Sequence, residues 1–135
     1  MAFGVLVLRS THFGESMRIA RFEDLSVWRK AKELSLSVYR VTGTGTFARD
    51  FALRDLIRRA SVSVMSNVAE GFERYGRNEF GRFLSIARGS ASEVRSQLHL
   101  ARDLGYLTAA DFDVLYELCL EISRMLASLH SSSRN

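Results

Sequence analysis

The sequence of 135 residues contains no proline, a single cysteine and only two lysines, Lys30 and Lys32. Because proline interrupts helices, its absence permits long continuous ones. One cysteine, Cys119, cannot form an internal disulfide, so we expect a reducing, cytoplasmic setting. No apolar run approaches the ~18 residues that a membrane-spanning helix needs, and we therefore expect no membrane partner.

Arginine carries nearly all of the positive charge, and the formal net charge is +4. Hydrophobic residues make up 47% of the chain and charged residues 25%, which is the composition of a globular protein and excludes a disordered one. The length is that of one ordinary domain. This composition permits nucleic acid as a partner without requiring it.

The two ends of the chain lack the periodicity found between them. Residues 1–20 are predicted to be a flexible N-terminal extension, with an added edge strand as the less favoured alternative. Residues 131–135 are rich in serine and are predicted to be a frayed tail. The domain itself is predicted to span residues 21–130.

Four segments carry apolar residues at alternating spacings of three and four, the pattern of amphipathic helices. No strand-like alternation occurs in them, so we predict an all-α fold. Short connections favour an antiparallel up-down-up-down four-helix bundle. The predicted boundaries are a cap at Asp24, a break at 43–46, a helix over 50–74, a cap at Asn78, a stop at Gly105 and a cap at Thr108.

Three blocks of the sequence resemble a known bacterial family of four-helix bundles. Residues 22–31 read FEDLSVWRKA, residues 57–72 contain IRRA and SNVAEGF, and residues 79–90 read EFGRFLSIARGS. The family is named for proteins encoded in intervening sequences of 23S rRNA genes. The resemblance extends from about residue 22 to residue 129. The sequence departs from the family pattern at Leu56, where glutamine is usual, and at Arg95, where an acidic residue is common.

The resemblance implies a fold, an assembly and a kind of partner. It implies an antiparallel bundle that assembles as a homopentamer and has no established enzymatic activity. Distant relatives are accessory proteins of diversity-generating retroelements, in which a basic pentamer contacts nucleic acid and a reverse transcriptase. The family name records where some of the genes lie and is no argument that this chain binds rRNA.

The residues needed for catalysis or metal binding are sparse. Di-iron bundles need inward-facing Glu-x-x-His pairs, and position 96, three residues before His99, is serine. The other histidines, His12 and His130, lie near the two ends, and Cys119 lies on an apolar seam. We therefore expect no enzyme, no metal and no cofactor, and we interpret His99 as a surface or packed structural residue.

Three arginines recur every seven residues on the third helix: Arg88, Arg95 and Arg102. Seven residues are nearly two helical turns, so the three form one stripe with only about 20° of drift per heptad, just beside the apolar seam. One interpretation is an interface in which each guanidinium pairs with an acidic residue of the next helix or subunit. Another is a track for nucleic-acid phosphates. A plain solvated face is the third.

A polar group lies within the second helix, formed by Arg58, Asn67 and Glu70. The favoured interpretation is a half-buried hydrogen-bonded network that fixes the register of the helices, because buried polar groups need partners. A ligand-binding cluster is the alternative. Asn67 and Glu70 are three residues apart and are expected to share a face.

Two functions follow from these observations. The first is a homo-oligomeric, non-enzymatic module that binds RNA or DNA through arginines. The second is a protein-binding scaffold whose arginines form ordinary ion pairs. In both cases we expect self-association, because some apolar residues lie off the main seams and would be exposed in a lone bundle. These residues are Trp28, Leu36, Phe83, Ile86, Leu118 and Met125.

Overall fold

Four helices make up most of the protein. The computed structural model describes residues 6–9, 16–74 and 77–133. The prediction of four helices is confirmed, and each lies close to the segment that its periodicity indicates. The helices are α1 (Ser26–Thr42), α2 (Phe51–Arg74), α3 (Arg77–Asp103) and α4 (Ala109–Ser132).

The predicted end of α3 and start of α4 are confirmed by their backbone geometry. Gly105 has a φ of 78°, the left-handed conformation that glycine adopts without strain, and the N–H of Tyr106 donates to the carbonyl of Ala101. The Thr108 side chain then accepts a hydrogen bond of 3.0 Å from the N–H of Asp111. Both signals are local, which is why the sequence reveals them.

The other predicted caps need correction. Asp24 does not cap α1, because residues Phe22–Asp24 form a turn of 3₁₀ helix and Leu25 takes the cap position without a side-chain bond. Asn78 lies inside α3, which begins one residue earlier at Arg77, while the predicted break at residues 75–76 lies outside the described residues.

The start of α2 is fixed by Asp50. One of its carboxylate oxygens accepts from the N–H of Leu53 at 3.1 Å, and the other accepts from the Tyr106 hydroxyl at 2.9 Å. The second bond stabilises the protonated phenol and raises the pKa of Tyr106. The connection between α3 and α4 is thereby tied to the beginning of α2.

All four helices bury their predicted apolar seams in one core. Helix α2 packs against α3, α3 against α4, and α1 against both α2 and α4. The seam of α3 is fully buried, as its regular spacing predicts. The residues of this seam are Phe80, Leu84, Ala87, Ala91, Val94, Leu98 and Ala101.

Small residues bring α2 and α3 close together. The Ser63 and Ser90 hydroxyls meet at 2.8 Å, and Ala87 and Ala91 are buried beside them. A Cβ atom added at Gly71 would lie 2.6 Å from the Cβ of Phe83. Gly89, next to Ser90 on α3, is exposed and has open space around it.

The N-terminal segment contains two paired strands that the periodicity does not predict. Strand β1 (Leu6–Arg9) pairs antiparallel with β2 (Ser16–Ile19), so that Leu6 lies opposite Ile19. Ile19 is buried in the core, and β1 contacts α4. The predicted flexibility of residues 1–20 stays a prediction.

The apolar residues expected off the seams divide into two groups. Phe83 and Leu118 are buried, and Trp28 and Met125 are partly buried against the core. Leu36 and Ile86 remain exposed. Within the described ranges, no helix is long and apolar enough to cross a membrane.

Candidate functional site

The arginine stripe runs along the edge of α3 that faces α4. Arg88 and Arg102 are exposed, and Arg95 between them is half-buried. The predicted placement beside the seam follows from the buried neighbours Ala87 and Val94. With a rise of 1.5 Å per residue, heptad spacing separates successive arginines by about 10.5 Å along the helix.

Two of these arginines rest on aromatic rings of α4. The guanidinium carbon of Arg102 lies 4.3 Å from the centre of the Phe112 ring, and that of Arg95 lies 5.4 Å from the centre of the Tyr116 ring. Phe112 and Tyr116 are one helical turn apart, and their rings stack at 5.4 Å with an angle of 20°. Such contacts restrain a long side chain that would otherwise sample many rotamers.

His99 completes this arrangement from α3. The centre of its ring lies 5.2 Å from that of Phe112 and 5.5 Å from that of Tyr116, and the rings are steeply inclined to each other in both pairs. Its Nδ1 lies 3.4 Å from a terminal nitrogen of Arg102, so Nδ1 is the acceptor in this pair. The interpretation of His99 as a surface or packed structural residue describes this position well. We call Arg95, His99, Arg102, Phe112 and Tyr116 the arginine–aromatic ladder.

The ladder contains two residues that the sequence analysis missed. Phe112 lies on the buried seam of α4, and Tyr116 lies beside that seam. The signal that could have identified them is their i, i+4 spacing opposite an arginine, a histidine and a second arginine on α3. Recognising it requires knowing which turns of the two helices face each other.

The arginines of the stripe are poorly supplied with carboxylates. Arg102 pairs with its neighbour Asp103 at 3.2 Å. Within the described residues, neither Arg88 nor Arg95 has a carboxylate within 4.0 Å. The Nε–H of Arg95 is shielded from solvent and has no hydrogen-bond partner there. The expected pairing with acidic residues of the next helix is therefore not found within the described chain, and pairing with another subunit stays a prediction.

The polar group of α2 is not one network, because its members face different neighbours. Arg58 points towards α1, where its Nε donates to the Thr42 hydroxyl at 2.7 Å and its guanidinium lies 4.4 Å from the centre of the Tyr39 ring. Glu70 is exposed and pairs with Arg74 at 2.9 Å. Among the described residues, no hydrogen bond joins the side chain of Arg58 or Glu70 to that of Asn67.

Asn67 is the member that fits the register interpretation. Its amide nitrogen donates to the carbonyl of Ser63 at 2.8 Å and lies 3.0 Å from the Ser63 hydroxyl. That hydroxyl also meets Ser90 of α3. This chain of bonds crosses the α2–α3 contact, so a shifted register would leave buried polar atoms unpaired.

Metal binding and thiol chemistry find little support among the described residues. No group of three or more His, Cys, Asp or Glu residues could hold a metal ion in the described chain. Cys119 is buried on the α4 seam, and burial raises the pKa of its thiol to about 12. A thiol so protonated is a poor nucleophile at neutral pH.

A sequence model of the 23S rRNA-intervening sequence proteins matches residues 23–128. The chain belongs to this family. The match covers all of α1, α2 and α3 and most of α4, so the family resemblance and the arginine–aromatic ladder lie in the same domain. The strands β1 and β2 lie before the matched residues.

Comparison with solved structures supports the same fold. The chain is similar to a protein with unknown function from the S23 ribosomal protein family of Bacteroides thetaiotaomicron. The TM-score is 0.71 at 23% identity, over 77% of this chain and 97% of that one. At this identity the likeness concerns the fold alone. No curated protein matches this member of the family.

Proposed function

We propose that this protein is a non-enzymatic, homo-oligomeric bundle of the cytoplasm that binds nucleic acid through Arg88, Arg95 and Arg102. One observation carries the proposal: a line of three arginines along α3, two of which are supported by rings of α4, has no carboxylate of α4 paired with it within the described residues. Asp103 neutralises part of this charge at Arg102, and the positive charge that remains attracts polyanions.

The chemistry of the guanidinium group suits phosphate binding at this place. A ring under a guanidinium covers its face and leaves the N–H groups at its edge available to an anion. A phosphate oxygen can accept from two of these N–H groups at once, which makes the contact directional as well as electrostatic. Restraint by Phe112 and Tyr116 reduces the entropy that two of the arginines lose on binding.

The double substitution Arg95→Gln and Arg102→Gln tests this role. We expect at least about ten-fold weaker binding to a labelled 24-base-pair duplex at 50 mM salt, since two phosphate contacts are removed. The matched control is Arg40→Gln with Arg59→Gln, which removes the same charge from exposed positions on α1 and α2. Equal losses in the two variants would show that only net charge matters.

The same variants separate the two functions considered for the stripe. If the arginines hold subunits together, the Arg95/Arg102 variant will dissociate, and light scattering after size exclusion will report a smaller mass. If they bind phosphate, the mass will equal that of the parent while affinity falls. Absence of binding by the parent protein to RNA or DNA at low salt would leave the scaffold as the surviving function.

We also propose that the helices alternate in direction and that the chains self-associate. Between α3 and α4, Arg95 lies against Tyr116 and Arg102 against Phe112. Between α2 and α3, Ser63 meets Ser90 and Gly71 lies against Phe83. In both pairs of helices the partner number falls as the first number rises, which supports antiparallel packing. Self-association would cover apolar residues exposed on α2, α3 and the connection after α3. These are Leu56, Ile86, Leu100 and Leu104.

The family resemblance suggests five subunits. A closed pentamer of 15.2 kDa chains has a mass of about 76 kDa. Light scattering at micromolar concentration measures this mass directly. A 15.2 kDa species would contradict self-association, and a closed assembly of another size would contradict only the number.

A further inference from the structure

In the part of the chain that the structure describes, each aromatic ring has a cation or a second ring against it, and this limits how these rings can bind nucleobases. In the ladder, Phe112 is only 6% exposed. Its ring contacts the Tyr116 ring, the edge of His99 and the Arg102 guanidinium. A nucleobase would have to displace one of these groups to stack there.

Exposed aromatic side chains elsewhere are also occupied. Phe51 is the most exposed at 63%, and the Arg54 guanidinium lies 4.7 Å from the centre of its ring. Tyr39 is 47% exposed and carries the Arg58 guanidinium at 4.4 Å.

The single tryptophan follows the same pattern. Trp28 is half-buried, meets the Phe22 ring at 5.1 Å and has the Lys32 ammonium 5.8 Å from its centre. Phe47 is buried against the Tyr106 ring. Among the described residues, we find no exposed aromatic ring that lacks a cation or a second ring against it.

Free aromatic rings are what proteins use to hold single strands. Stacking of unpaired bases on such rings supplies much of the affinity for single-stranded DNA and RNA. Without stacking, the affinity for a nucleic acid rises with the density of its phosphate charges. A duplex carries one charge per about 1.7 Å of axis, roughly twice the density of one of its strands, and releases more counterions per contact.

We propose, on the basis of the function proposed above, that the ligand is duplex nucleic acid, bound through its phosphate backbone without readout of base sequence. The groups that contact it are the guanidinium edges of Arg88, Arg95 and Arg102. The rings beneath two of them serve as supports for the arginines and contribute no stacking to the ligand.

Fluorescence anisotropy with four labelled probes tests this inference on the full-length protein. The probes are a 24-base-pair DNA duplex, the RNA duplex of the same sequence, and one unstructured 24-nucleotide strand of each sugar. At 50 mM salt we expect both duplexes to bind at least about ten-fold more tightly than either strand. A scrambled duplex should bind within about two-fold of the original, and comparison of the two duplexes reveals any preference for sugar type.

Two variants identify which contacts produce the preference. Arg95→Gln with Arg102→Gln should weaken duplex binding and reduce the ratio of the duplex affinity to the single-strand affinity. Phe51→Leu removes the most exposed ring and should change single-strand affinity by less than about two-fold, because that ring is not a stacking site.

Each outcome bears on a definite claim. Tighter binding to the single strands, or a large loss of strand affinity in Phe51→Leu, would overturn the duplex inference while the proposed phosphate track stands. Strong dependence on base sequence would also overturn it. Failure of all four probes to bind at low salt would overturn both the inference and the proposed function.

Discussion

Single residues of this protein differ in role according to the helix that they face, even when they are neighbours in sequence. Asn67 and Glu70 are three positions apart on α2, yet Asn67 bonds Ser63 at the α2–α3 contact and Glu70 pairs with Arg74 in solvent. When a half-buried amide is removed, the polar atoms that it bonded stay desolvated without a partner, which lowers the stability of the fold. An exposed ion pair contributes little.

Substitution of these two residues should therefore have unequal effects. We expect Asn67→Ala to lower the free energy of unfolding by about 1–2 kcal/mol, because the Ser63 carbonyl and hydroxyl lose the hydrogen bonds that the Asn67 amide donates. Glu70→Ala should lower it by less than about 0.5 kcal/mol. Urea denaturation at one fixed protein concentration measures both, and equal effects would argue against the register role of Asn67.

The Cys119 thiol provides a second test at this scale. Burial raises its pKa from the ordinary range of a thiol to about 12. We therefore expect negligible reaction with a disulfide reagent at pH 8 in the folded protein and full reaction in urea. Because the folded state holds the proton more tightly, the stabilisation linked to it is complete below pH 9 and is lost as pH rises towards 12.

The control for the thiol is Cys119→Ala. Its stability should fall less steeply between pH 9 and pH 12 than that of the parent, since the titrating group is gone. The remaining slope includes Tyr106, whose pKa is also raised and whose contribution has the same sign. Rapid labelling of native Cys119 at pH 8 would contradict its burial on the α4 seam.

Whole elements of this fold could be predicted to different degrees. The helices follow from apolar spacing, and Thr108 and Gly105 mark their ends by local chemistry. The pairing of β1 with β2 could not be predicted, because each strand has only four residues and too short a pattern to read. The cap at Asp24 was wrong because the preceding 3₁₀ turn moves the helix start beyond it.

Part of the candidate site, the line of three arginines, could be predicted from the sequence, and its contacts with α4 could not. Heptad spacing locates Arg88, Arg95 and Arg102 on one edge of α3, since periodicity fixes the angle of a residue around its own helix. It does not fix which turn of a neighbouring helix lies opposite. The contacts of the arginines with Phe112 and Tyr116 depend on how α3 and α4 are aligned along their axes. The different neighbours of Arg58 and Asn67 likewise depend on how α2 is aligned with α1 and α3.

Substitution of two glycines, Gly71 on α2 and Gly89 on α3, tests how closely the two helices approach each other. Gly71→Ala should destabilise the protein by about 1–3 kcal/mol, because the new Cβ would lie 2.6 Å from the Phe83 Cβ, where the backbone must move apart. Gly89→Ala meets open space in a helix interior and should be neutral or stabilising by up to about 1 kcal/mol.

Thermal or urea denaturation distinguishes the two glycine variants. They place the same methyl group on neighbouring helices, so differences in helix propensity largely cancel between them. Destabilisation by Gly89→Ala would indicate that its exposed face is covered in the assembled protein. Tolerance of Gly71→Ala would contradict the close approach of α2 and α3.

At the scale of the whole molecule, charge is the property that connects the fold to a function. The net charge of +4 is modest, but three arginines follow one another at heptad spacing along one edge of α3. In an oligomer this edge would be repeated, and several weak phosphate contacts would act together. The central claim is therefore that particular arginines, and not the overall charge, bind the polyanion.

The salt dependence of duplex affinity tests this claim most directly. It should be measured for the parent, for the series in which Arg95, then Arg102, then Arg88 becomes glutamine, and for the triple control Arg29/Arg40/Arg59→Gln on α1 and α2. The account predicts that the slope of log affinity against log salt becomes shallower by about 0.9 for each arginine of α3 removed per contacting chain, and changes little in the control. Equal slopes in the α3 series and the parent, or an equal change in the control, would contradict it.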